Sequence, residues 1–160
     1  MSTTSKSPAS PSSTDRIQKV TTLRAPRSKV WRAITDSAQF SQWFGTRLDQ
    51  PFTAGRRIRG PITIPKYEHL VFEVAVEQME PERLFSWRWQ TGGNPDIDPA
   101  EPETLVVFEL EEVPEGTRLT VTETGFDQIP VARRDKAYRG NDQGWTGQIE
   151  NLRKYVASAA

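Results

Sequence analysis

The sequence predicts an α+β fold in which a curved antiparallel sheet of about six to seven strands wraps round one long C-terminal helix. Three observations carry this. Apolar residues alternate with polar ones through the middle of the chain, from Arg56 to Thr124, the period of strands with one buried face. A single stripe at three- and four-residue steps follows: Tyr138, Asn141, Trp145, Ile149, Leu152 and Val156, the mark of one long amphipathic helix. Two short helical segments come before the alternation, directly after a first strand. An open antiparallel sheet has one face to cover, and the terminal stripe is the only long apolar surface that can cover it.

The elements run in this order. Met1–Asp15 (MSTTSKSPASPSSTD) is rich in Ser, Thr and Pro and has too little apolar surface to offset the entropy of ordering. A disordered tail is expected over 1–15 and one domain over 16–160. Ile17–Arg24, rich in β-branched residues, reads as a strand that ends at Ala25-Pro26. Pro26 suits the first position of a helix carrying Val30, Trp31 and Ile34. Asp36 can cap a second helix holding Phe40, Trp43 and Phe44, stopped by Gly45. Arg56–Ile64 alternates, with Pro61 pointing to an edge strand or a bulge. Leu70, Phe72, Val74 and Val76 mark the next strand, Met79–Glu82 a turn, and Phe85, Trp87 and Trp89 one face of another strand. Thr91–Pro102 is a loop by composition. Thr104–Glu112 and Thr117–Thr124 form a hairpin across Pro114-Glu115-Gly116. Pro130 opens the final helix, which contains Gly140, Gly144 and Gly147. Each glycine costs a helix interior about 1 kcal/mol against alanine, so close packing, a bend or a movable wall is expected there.

Composition removes whole classes of function. With no cysteine in 160 residues, disulfides, thiolate metal sites and cysteine nucleophiles are excluded. The single histidine, His69, excludes motifs that need a pair. Lys+Arg and Asp+Glu both total 21, so no net field draws the protein to nucleic acid or to a membrane surface. Phosphate-binding loops, nucleophile elbows and acidic metal loops are absent from the sequence. No metal and no cofactor is expected. The N-terminus lacks the apolar stretch of a signal peptide, which makes the cytoplasm the expected compartment.

Four segments resemble a known family. Ala25-Pro26, Val30–Asp36 and Trp43-Phe44-Gly45 look like its opening signature. Glu80–Leu84 with Trp87-Arg88-Trp89 resembles its central hairpin, Gly116–Phe126 its last strand, and Asn141, Gly144-Trp145 and Leu152 its final helix. Together they resemble the START-like (SRPBCC) superfamily, in the bacterial branch similar to the C-terminal domain of the heat-shock-protein-90 ATPase activator. The resemblance implies the helix-grip fold and a cavity between sheet and C-terminal helix.

The candidate ligand-binding residues are Trp43, Phe72, Trp87, Trp89, Phe108, Glu123, Tyr138, Asn141 and Trp145. The aromatics suit an apolar pocket with few polar anchors, and also suit ordinary core. Glu123 shares the inward face of its strand with Leu119 and Val121. A carboxylate there orients a ligand, transfers protons, or pairs with an arginine at the rim. Asn141 is the polar gap in the helix stripe, able to reach a ligand or Glu123. His69 follows Glu68, but strand neighbours point to opposite faces, which separates the pair. Glu123 and His69 are the candidate catalytic groups. Arg57 and Arg59 share one face, where a solvated edge is the expected role. The expected partner is a small apolar or aromatic ligand bound by a monomer or weak homodimer, with neither nucleic acid nor membrane involved. An enzyme of cyclase, hydratase or isomerase type using the same cavity is the alternative, and contact with a chaperone ranks behind both.

Overall fold

Period two decides the sheet, and the computed structural model, which describes residues 15–93 and 96–158, shows how far it runs. The strands are β1 (Arg16–Leu23), β2 (Arg57–Pro61), β3 (Val71–Glu80), β4 (Leu84–Trp89), β5 (Thr104–Val113) and β6 (Gly116–Thr124). They form one antiparallel six-stranded sheet in the order β1-β6-β5-β4-β3-β2. The helices are α1 (Arg27–Thr35), α2 (Ser37–Phe44) and α3 (Val131–Ser158). The sheet is curved, with a bulge in β3 between Val76 and Gln78, a device that bends a strand and increases its twist. Most of the tail expected over 1–15 lies outside the described residues. Asp15 is described, and its Oδ1 accepts a hydrogen bond from the Asp127 amide at 3.0 Å.

Local chemistry sets the boundaries. Asp36 caps α2 by accepting from the amides of Ala38 and Gln39 at 3.0 and 3.1 Å. Gly45 ends that helix at φ 91°, a conformation that glycine adopts without a Cβ penalty. Pro26 stands one place before the first residue of α1, as its N-cap. The β5–β6 hairpin turns over Pro114-Glu115, with Val113 opposite Gly116. Gly116 has φ 142°, and a Cβ there would meet the Leu23 carbonyl at 2.3 Å.

Two expectations need correction. The alternation over Arg56–Ile64 gives a strand only to Pro61. Beyond it Ile62 keeps a lone bridge to Thr46, and the chain turns at Ile64–Tyr67, with Lys66 at φ 77° and the Tyr67 amide on the Ile64 carbonyl at 2.9 Å. Five strands follow the short helices, and with β1 they make the six of the sheet. The helix glycines do not mark close packing, since a Cβ built on Gly140, Gly144 or Gly147 meets nothing within 4 Å.

The core lies between the concave sheet face and the helices. Ile58, Phe72, Val74, Phe85, Trp87, Val106, Phe108, Leu119 and Val121 point inward and are buried. Trp145, Leu152 and Val156 of α3 are buried against them, whereas Tyr138 and Ile149 are half-buried. Phe40 of α2 fills the centre, with ring centroids 4.7–5.9 Å from Trp43, Phe44, Phe52, Phe72 and Trp87. Such edge-to-face and offset contacts add roughly 0.5–1.5 kcal/mol per pair beyond the buried area. β2 is an edge strand, one of the two placements Pro61 pointed to. Arg57 and Arg59 lie exposed on its outer face against Glu73 of β3, at 3.4 and 3.7 Å.

Candidate functional site

Alternation on β6 carries Glu123 inward with Leu119 and Val121, and the residue is fully buried. A buried carboxylate is costly unless its oxygens are occupied, and here both are. Oε1 accepts from Trp145 Nε1 at 2.8 Å and from Asn141 Nδ2 at 3.0 Å. Oε2 accepts from Thr104 Oγ1 at 2.6 Å, Trp89 Nε1 at 2.9 Å and Asn141 Nδ2 at 2.9 Å. The donors come from β4, β5 and α3, so one side chain ties the helix to three adjacent strands. No arginine takes part; the hydrogen bonds all come from neutral side chains.

In front of this network lies a cleft of about 480 Å³, within the ~300–1,000 Å³ of typical ligand sites. One wall is the stretch of α3 around Gly140, Asn141, Gly144 and Trp145. The opposite wall is the turn between β2 and β3, which contributes Ile62, Ile64, Tyr67 and Leu70. Phe44, Phe72 and Trp89 form the aromatic floor, and Gln90, Gly92 and Gly93 close one end. Trp89 and Trp145 lie 5.9 Å apart at 35°. Their N–H groups are held by Glu123, so what they offer the cleft is ring surface.

The end wall is fastened to the helix. Gln90 Nε2 donates to the carbonyls of Asp98 and Glu101 at 2.9 and 3.0 Å. Arg133, in the first turns of α3, grips the Glu101 carboxylate with Nε and Nη2 at 2.7 and 2.9 Å, and its Nη2 also donates to Thr91 Oγ1 at 2.8 Å. The hydrogen bond to Glu101 raises the pKa of the Arg133 guanidinium, desolvation opposes this, and the Glu101 charge adds to the rise.

The structure separates the sequence candidates into groups. Phe72, Trp89, Asn141 and Trp145 line the cleft, and Glu123 lies directly behind them. Trp43, Trp87 and Phe108 do not reach it. Trp43 donates to the Ala33 carbonyl at 2.8 Å, and Trp87 and Phe108 sit in the aromatic core with centroids 5.1 Å apart. Tyr138 points elsewhere, with its hydroxyl on the Arg16 carbonyl at 2.9 Å and its ring 5.2 Å from Phe126. His69 is exposed in the turn before β3, and two strands separate β3 from the β6 of Glu123. The two candidate catalytic groups are thus not brought together. Sequence reasoning missed Thr104 as a Glu123 partner and missed the Ile62–Leu70 wall. The apolar residues of that turn were the available signal, read there as part of a strand.

The helix held across a concave sheet, with an apolar cleft at one end, is the arrangement of a START-like, helix-grip protein. The sequence agrees: the model of the family described as activator of Hsp90 ATPase homolog 1-like protein matches residues 24–157. The chain belongs to that family. Among solved structures it is similar to protein MLL2253 from Mesorhizobium loti, at 25% identity and TM-score 0.72, covering 91% of this chain and 98% of that one. It is also similar to DynU16, a protein in the dynemicin biosynthetic locus, at 26% identity and TM-score 0.71. That match covers 90% of this chain and 48% of DynU16. The Aha1 dimer from Colwellia psychrerythraea shares the fold at 15% identity and TM-score 0.65, with 88% of this chain and 95% of that one covered. No curated protein matches the chain. No described helix is long and apolar enough to cross a membrane.

Proposed function

We propose that this protein binds a small apolar or aromatic molecule in the cleft between α3 and the β2–β3 turn. The cleft itself carries the reading: about 480 Å³, walled by aromatic rings and aliphatic side chains, with few polar groups. This is the composition by which ligand sites are recognised. Binding is favoured over proton transfer because the oxygens of Glu123 are occupied by structural donors, and none of those donors is a titratable group. A general acid or base needs a free path to the atom it serves. The place of DynU16 in a biosynthetic locus supports a small molecule as partner. On this reading residues 16–160 work as one unit, a monomer or weak homodimer in the cytoplasm.

Native mass spectrometry against a metabolite extract tests the proposal. Gly144 lines the cleft and has open space at its Cβ position, so Gly144→Phe fills the cleft from the helix side. The wild type is expected to retain an adduct that Gly144→Phe, melting cooperatively, has lost. An adduct retained equally by both proteins places the binding site elsewhere and defeats the proposal.

A further inference from the structure

We infer that the cleft selects apolar molecules bearing an N–H or O–H donor, because two of the amides that line it, Asn141 and Gln90, are turned to show it their oxygens. The inference rests on the cleft being the binding site and adds the polar chemistry that the ligand must carry.

Asn141 Nδ2 lies 3.0 and 2.9 Å from the two Glu123 oxygens. The reversed amide would set its carbonyl oxygen against two carboxylate oxygens, so only one orientation is compatible with Glu123. The Asn141 Oδ1 accepts nothing among the described residues, and the residue faces the cleft. Gln90 repeats the device at the end wall. Its Nε2 lies between the Asp98 and Glu101 carbonyls, and reversal would again oppose oxygen to oxygen. Its Oε1 likewise has no partner among the described residues. A third amide on the lining, Gln148, donates one N–H to the Phe44 carbonyl at 2.8 Å and accepts from Asn151 at 3.1 Å, so its oxygen is engaged and one N–H is left over.

The indole donors point the same way. Trp89 and Trp145 spend their N–H groups on Glu123. The fixed side-chain polarity of the cleft is therefore mostly acceptor, supplied by the Asn141 and Gln90 oxygens. Tyr67 and Gln143 also carry donors and lie exposed at the rim. An aromatic alcohol, arylamine or indole meets this surface with a hydrogen bond. An ether of equal size meets it without one, and an aromatic carboxylate brings like polarity against it. Glu123 is a positioning residue here: it touches no ligand and sets which end of Asn141 the ligand meets.

Three naphthalenes of one shape test this by fluorescence titration: 2-naphthol as donor, 2-methoxynaphthalene as acceptor only, and 2-naphthoate as anion. A net hydrogen bond corresponds to a preference of roughly two- to ten-fold, so 2-naphthol is expected to bind that much tighter than the ether, with the naphthoate weakest. Asn141→Ala combined with Gln90→Leu is expected to bring the alcohol-to-ether ratio to about one. If the double variant fails to fold, Gln90→Leu alone must still lower the ratio. Equal binding of alcohol and ether by the wild type overturns the inference and leaves the cleft standing, as does a preference that survives the substitutions. Failure of all three probes to bind overturns the cleft reading and the inference with it.

Discussion

Replacing Glu123 by glutamine exchanges one oxygen for an amide and tests the buried network directly. The carboxylate now receives Trp145 and Asn141 on Oε1, and Thr104, Trp89 and Asn141 on Oε2. Glutamine presents one oxygen and one NH₂. With its nitrogen in the Oε1 position it faces the Trp145 N–H at 2.8 Å; in the Oε2 position it faces the Trp89 N–H at 2.9 Å. Thr104 can rotate its hydroxyl and Asn141 can flip, but an indole N–H only donates. One indole N–H, that of buried Trp145 or of half-buried Trp89, is therefore orphaned in either orientation, at about 1–3 kcal/mol. Urea unfolding followed by circular dichroism measures this as a lower midpoint at unchanged slope. Trp145→Phe removes one of the two donors in advance. In that background Glu123→Gln can place its nitrogen toward the vacated side, and its cost is expected to shrink by about 1 kcal/mol or more in a double-mutant cycle. A glutamine variant as stable as the wild type, or a cycle with no coupling, would refute the network's structural role.

Other outcomes follow from the same geometry. Leu152→Ala, at a fully buried position on α3, is expected to cost about 2–5 kcal/mol in denaturant unfolding and to leave the cleft's ligand affinity unchanged. Gly147→Ala is expected to raise stability by about 0.5–1 kcal/mol, because its Cβ enters open space and the residue does not line the cleft; a fall in the melting midpoint would show an unrecognised contact. Arg133→Ala leaves the buried Glu101 carboxylate without its guanidinium. It is expected to cost about 1–3 kcal/mol, below the figure for a fully buried pair because the arginine is partly exposed. The folded pKa of Arg133 is raised, so the arginine's contribution is fully present below its ordinary value and lost only as pH rises through the folded one. The stability difference between Arg133→Met and wild type should therefore not shrink between neutral pH and pH ~10 on account of arginine titration. Removing residues 1–14 is expected to move the melting midpoint by no more than about two degrees, since the segment has almost no apolar side chains; a drop of about ten degrees would show that it docks on the domain.

The sheet was legible because alternation is a local signal with a global consequence. Leu119, Val121 and Glu123 share a parity, so the inward carboxylate could be read without coordinates. Asn141 was legible as the polar gap in a helix stripe, and Asp36 and Gly45 as the ends of α2. The parts that were not legible depend on tertiary choices. Trp43, Trp87, Trp89, Phe108 and Trp145 carry the same apolar signal, and nothing local says which end of the sheet–helix sandwich closes on Phe40 and which stays open. Ile62 and Ile64 continue the strand pattern, yet Pro61 removes a donor and Pro65-Lys66 turns the chain, converting a strand into a cleft wall. The indole donors of Glu123 were hidden because an inward carboxylate suggests a cation, whereas Trp89 and Trp145 reach it from β4 and α3, remote in sequence. The helix glycines suggested contact, and the structure gives them open space at Gly140 and Gly144 beside the cleft.

A 2-naphthol titration followed by amide and indole NMR shifts tests most directly whether ligand enters the cleft between α3 and the β2–β3 turn. Saturable shifts are expected for residues 62–72, 89–93 and 140–148 and for the indole N–H signals of Trp89 and Trp145. The signals of Leu152–Val156 and of the β5–β6 turn should stay still. Shifts that do not saturate, or that gather at the β5–β6 turn or around Tyr138, would contradict the account.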